Sequence, residues 1–113
     1  MKKIIKTTKA PLPIGPYNQA VVIGNMVYLS GQIALDLKTN NVIAGGVAEQ
    51  AKCVIGHIRT ILEEAGSSLE KTIKATVFLK NMNDFSEMNT VYEKFFKKTL
   101  TDCILVARKI IEI

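Results

Sequence analysis

Two segments, "AVVIGNMVYLSG" (residues 20–31) and "CILVA" (residues 103–107), are apolar at nearly every position. Successive side chains of a strand point to opposite faces of its sheet, so such runs ask for cover on both faces. Elsewhere in the 113 residues there are two stretches with helical apolar spacing, enough to cover one face. The other face would expose more than the roughly few hundred Å² of contiguous apolar surface that soluble monomers usually carry. A second copy of the chain is the simplest cover, and a homo-oligomer is therefore expected.

The same runs set the order of elements. Val21–Ile23 and Met26–Ser30 flank Gly24-Asn25, a two-residue hairpin signal because both residues tolerate positive φ. A further strand is expected from Gly31 to Leu35, before the polar turn "DLKTNN". In "GGVAEQAKCVIGHIRTILEEAG", Val47, Ala51, Val54, Ile58, Ile61, Leu62 and Ala65 recur at helical spacing, with Gly66 placed as a C-terminal cap. Ser67 and Glu70 suggest a short capped turn. Thr72 to Leu79 alternates with Ile73, Ala75, Val77 and Leu79 on one face, as a strand does. A second helix should start at an Asp84 cap, with Glu87 three positions on, and bury Phe85, Met88, Tyr92, Phe95 and Phe96. "CILVARKIIEI" is long enough for one last strand. The reading is a single α+β domain over residues 1–113, a sandwich of two helices on a mainly antiparallel or mixed sheet.

Composition narrows the function classes. With 48% hydrophobic and 22% charged residues the chain is not of the disordered type. No apolar run approaches the roughly 20 residues of a membrane helix. "MKKIIKTTKAPLP" is basic but lacks the apolar core of a secretory signal, so a cytoplasmic location is expected. Cys53 and Cys103 show no ligand spacing and His57 is the sole histidine; no metal site is expected, and His57 reads as a satisfied core histidine. The net charge of +5 comes from lysines spread along the chain without interleaved aromatics, which reads as a solvated surface rather than a nucleic-acid site. No Gly-rich phosphate loop, Ser/His/Asp set or carboxylate pair is evident. The residues alone stop at an oligomeric α+β domain.

A resemblance goes further. "IGPYNQAVVIGNMVYLSGQIALD" and "VAEQAKCVIGHIRTILEEAGSSLEKTIKATVFLKNMNDFSEMNTVYEKFF", at this spacing, resemble the Rid (YjgF) family of enamine/imine deaminases, also labelled endoribonuclease L-PSP. The likeness covers roughly residues 7 to 96. It implies a chorismate-mutase-like fold of the bacillus type, with two helices on one face of a mixed sheet. It also implies a homotrimer whose sheets form a central barrel, with a cleft at each subunit interface. The implied reaction is cofactor-free hydrolysis of 2-iminobutanoate or 2-iminopropanoate to the 2-keto acid and ammonia. Two alternatives are a relative that binds small carboxylates or partner proteins through the same clefts, and a ribonuclease.

By the same resemblance, Tyr17, Ser30, Gly31 and Asn89 are the substrate-binding candidates. The family pattern continues with an Arg-bearing segment that opens a strand, a Leu-Pro turn, and a final strand with a water-positioning Glu. In "KKTLTDCILVARKIIEI" two registers compete. One makes Arg108 the carboxylate-binding residue and "KIIEI" its strand. The other makes "IIEI" the final strand and Glu112 the residue that positions water. On one continuous strand the two would share a face about 13 Å apart.

Overall fold

The computed structural model describes residues 2–13 and 15–96 in full and 102–107 by their backbone. The strands are β1 (Lys2–Ile5), β2 (Ala20–Ile23), β3 (Met26–Leu29), β4 (Lys74–Leu79) and β5 (Asp102–Ala107), and the helices are α1 (Val47–Glu64) and α2 (Phe85–Phe95). β2 and β3 form the expected hairpin, with Gly24 at φ 59°. Asn25 keeps a negative φ, so one residue of positive φ suffices, as in turns that place Gly first. β1 adds antiparallel to β2. That strand has no local signature: Lys2, Lys3 and Ile4 are exposed, and Ile5 alone is buried.

The expected sheet divides by its hydrogen bonds into the antiparallel order β1-β2-β3 and a parallel pair, β4-β5. Both parts pack on one core. Ile55, Leu62, Leu79, Met88, Val91 and Tyr92 form its centre, and Val27 and Leu29 of β3 and Ala75 and Val77 of β4 pack against it. A smaller cluster joins Ile5, Ala10 and Ala20 to Ile61 of α1. The helices thus lie on one side of the strands.

Five local expectations are corrected. Phe85, expected on the buried face of the second helix, is exposed at its first turn. Gly31–Leu35 is not a strand; among the described residues its one ladder contact is an isolated bridge between Leu35 and Val42, because the chain turns back at once through Asp36–Asn41. The short turn after α1 covers Leu69–Lys71 and starts from Ser68, not Ser67, with no side-chain cap. Asp84 precedes α2 but makes no capping bond; Asn81 instead accepts from the Asn83 N–H and starts a tight turn that feeds the helix. Ile73 lies outside β4 and is exposed, leaving Ala75, Val77 and Leu79 as the inward row.

The ends of α1 follow the sequence closely. The Glu49 carboxylate accepts from the Gly46 N–H at 3.1 Å, closing the first turn. At the other end Gly66 adopts φ 80°, its N–H donates to the Glu63 carbonyl and the Ser67 N–H to the Leu62 carbonyl. This paired pattern needs a left-handed residue after the cap, which glycine supplies without steric cost. Among the described residues, no helix is long and apolar enough to cross a membrane.

Candidate functional site

The segment between β1 and β2 builds one wall of a cleft. Its anchor is Gln19, which is 1% exposed. The Gln19 Oε1 accepts from the Thr7 N–H at 2.6 Å, while Nε2 donates toward the carbonyls of Pro11 at 2.8 Å, Thr7 at 3.0 Å and Ala10 at 3.3 Å. One buried amide therefore holds residues 7–11 against the start of β2. Tyr17 follows from its own turn, in which its N–H donates to the Gly15 carbonyl at 2.8 Å. Gly15 makes room for the ring: a Cβ there would lie 3.2 Å from the Tyr17 Cε1. That is the local reason for glycine two positions before the tyrosine.

The opposite wall is the strip after β3. Gly31, Gln32, Ile33 and Leu35 face Pro11, Leu12, Pro13, Tyr17 and Gln19 across a shallow cleft of about 60 Å³. A second hollow of about 230 Å³ also borders Tyr17, lined by Ile5, Lys6, Pro13, Gly15, Asn18 and Gln19. Tyr17 is half exposed and borders both. Small-molecule sites usually enclose roughly 300–1,000 Å³, so neither hollow, as the described residues line it, encloses a ligand.

The structure brings together Tyr17 and Gly31 of the sequence candidates. Ser30 lies behind the wall, its hydroxyl donating to the Asn18 carbonyl and its N–H to the Gln19 carbonyl, so it latches β3 to the Tyr17 segment. A Cβ on Gly31 would meet nothing within 4 Å, so packing among the described residues does not require glycine there. Asn89 lies on α2, where its amide donates to the Glu93 carboxylate at 3.0 Å, and does not line either hollow of the single chain. Arg108 and Glu112 lie outside the described residues. Gln19 and Gln32 also line the cleft; they belong to the segments that carry the family resemblance but are not among the expected site residues.

Among the described residues, no cluster of three or more His, Cys, Asp or Glu side chains is placed to hold a metal ion. The described lining of the cleft beside Gly31 carries hydrogen-bonding amides and apolar groups, with no Lys, Arg or His. Lys6 supplies a cation to the neighbouring hollow.

A family model described as Endoribonuclease L-PSP matches residues 7–110. A RutC family protein of Pyrococcus abyssi is 50% identical over 95 residues, covering 84% of this chain and 75% of the relative. A protein of Bos taurus named 2-iminobutanoate/2-iminopropanoate deaminase is 44% identical over 99 residues, covering 88% of this chain and 72% of its own length. Among solved structures, TdcF of E. coli with bound serine superposes with a TM-score of 0.86 at 39% identity, covering 95% of this chain and 86% of the other. A match across most of the chain, at these identities and with the same fold, establishes that the chain belongs to the Rid/YjgF family, the family of the L-PSP model.

Proposed function

We propose that the protein hydrolyses small 2-imino acids, such as 2-iminobutanoate and 2-iminopropanoate, to the 2-keto acid and ammonia. The observation that carries this reading is the cleft in which Tyr17 faces Gly31, in a chain 44% identical to a relative named for that activity. Water adds to the imine carbon, the resulting carbinolamine transfers a proton to nitrogen, and ammonia leaves as the carbonyl forms. Such imines hydrolyse without cofactors, so the protein has to hold the carboxylate, place a water and shield the reacting carbon. Tyr17 supplies a ring beside the cleft and Gly31 an unobstructed backbone. Either Arg108 as the carboxylate partner or Glu112 as the water-positioning group completes the proposal, according to the register of the last segment.

The same reading includes assembly, with three copies as the proposed number. Among the described residues, the cleft is too shallow to enclose a substrate and nothing packs against Gly31. Ile4, Ile23, Tyr28 and Phe78 are each 51–58% exposed on the strand face away from the helices. A copy laid on that face removes apolar surface from water and supplies an outer wall for the cleft. Cleavage of RNA would ask more of the site, because phosphate transfer needs positioned acid, base and cationic groups. The described lining of the cleft beside Gly31 carries the Tyr17 phenol but no Lys, Arg or His.

The test generates 2-iminobutanoate in situ with a threonine dehydratase and follows release of 2-ketobutanoate. Acceleration over buffer, lost on changing Arg108→Ala or Glu112→Gln, supports the assignment. A folded oligomer that leaves the buffer rate unchanged sinks it. Thermal stabilisation by small carboxylates without turnover would then favour the binding alternative.

A further inference from the structure

We propose that His57 is a positioning residue for the cleft, fixing the Gly31–Leu35 wall by holding the Leu35 carbonyl from the middle of α1. The proposal rests on the deaminase reading for its kinetic consequence, but its geometry stands apart from it. Leu35 lines the cleft and is also the residue at which the wall meets the helix. Its N–H donates to the Ile33 carbonyl at 2.9 Å and its own carbonyl lies 2.8 Å from the His57 Nε2. A carbonyl can only accept, so Nε2 carries the proton of this bond. Both partners are nearly closed to water, at 9% exposure for His57 and 8% for Leu35, so solvent does not compete for the bond.

Cys53 lies one helical turn before His57 and aims at the same oxygen. Its Sγ is 3.3 Å from the His57 Nε2 and 3.7 Å from the Leu35 carbonyl. Burial, with a contribution from Asp36, pushes the thiol up from its ordinary value, which keeps it as an S–H donor. Two donors from one helix thus converge on one backbone oxygen of the cleft wall. The neighbouring tethers, Ile43 N–H to the Ala34 carbonyl and Asp36 N–H to the Asn41 carbonyl, tie the strip to the surface turn. The imidazole ties it to the core.

A histidine with a purely structural role would lower stability without singling out the cleft. A positioning role predicts a selective effect. The experiment compares wild type, His57→Ala, His57→Gln and Ile61→Val. Gln places an amide N–H at the position of the imidazole Nε2, within reach of the same carbonyl. Ile61 is fully buried in the packing against Ile5 and Ala20 and lines neither hollow itself, so its truncation serves as a stability control. Turnover of 2-iminobutanoate and hydrogen exchange of a peptide spanning residues 31–36 are measured on all four.

For His57→Ala, KM should rise about 3- to 10-fold with kcat within about two-fold, the pattern of lost binding common to ground and transition states. Exchange over 31–36 should quicken roughly ten-fold, as expected where local opening becomes easier. His57→Gln should recover both, and Ile61→Val should lower the melting temperature while moving neither. Unchanged exchange in His57→Ala, or the same change in Ile61→Val, overturns the proposal. If wild type shows no turnover, the deaminase reading falls and the exchange result alone decides this one. Should His57→Ala fail to fold, His57→Phe, which keeps a ring and lacks the donor, takes its place with the same expected outcomes.

Discussion

At the scale of single residues, Gln19 holds the most consequential position in the cleft. Its amide satisfies backbone groups of residues that lie 8 to 12 positions earlier. Truncation to Ala would leave the Thr7 N–H and several carbonyls without that partner in a water-poor site. Such a loss costs roughly 2–4 kcal/mol, because each orphaned buried group carries its own desolvation penalty. Urea unfolding of Gln19→Ala should show a lower midpoint of that size with little change in slope. The residue types at the cleft were only partly legible beforehand. Tyr17 and Gly31 were named as site residues by resemblance and do face one cleft, whereas Ser30 turns its hydroxyl to a backbone carbonyl behind it. Nothing in the pattern of a lone Gln before an apolar run announces that its side chain will reach back across a whole loop.

At the scale of elements, the helices and the first hairpin formed where apolar spacing and turn chemistry placed them. The expected strand at Gly31–Leu35 did not form, and the reason lies in the turn that follows. Asp36 Oδ1 accepts from the backbone N–H of Lys38 and Thr39, and the Asn40 N–H donates to the Asp36 carbonyl at 2.8 Å. Asn40 takes φ 60°, a conformation that Asn tolerates better than most residues. The backbone is thereby folded back on itself, leaving a single bridge where a ladder was expected.

That turn carries a pH dependence. Bonds from the Lys38 and Thr39 N–H groups, in that order, hold the Asp36 carboxyl below its ordinary 3.8. A lowered folded value means that the unfolded chain takes up the proton first as pH falls. The carboxylate therefore contributes stability above 3.8 and loses it as pH drops through the folded value. Asp36→Ala should melt below wild type at about pH 7, and the gap should close on titration toward about pH 3. Thermal melts across that range measure it; a gap independent of pH would mean that the carboxylate's charge is not what holds the turn.

At the scale of the whole molecule, the strand face away from the helices dominates. Ile4, Val21 and Tyr28 lie side by side across β1, β2 and β3, and Ile23 and Met26 form a neighbouring pair. Ile4, Ile23 and Tyr28 are each more than half exposed. Under the proposed assembly a charge placed there cannot be buried without a partner. Tyr28→Lys should convert the oligomer to single chains in sedimentation, and should lose turnover with it if the cleft needs a second copy. Retention of the wild-type sedimentation pattern would move the interface elsewhere.

The residues themselves announced two helices, one hairpin, an inward row on β4 and an apolar surplus on the outer strand face. These are legible because helical period, strand alternation and turn geometry are settled between residues a few positions apart. Strand β1 and the cleft were not announced in that way. Lys2–Ile5 becomes a strand because Ala20–Ile23 offers it an edge, and the cleft exists because Gln19 reaches Thr7 and His57 reaches Leu35. Those contacts join residues 12 and 22 positions apart, and such a pairing leaves no periodic mark on either partner until the chain has folded and brought them together.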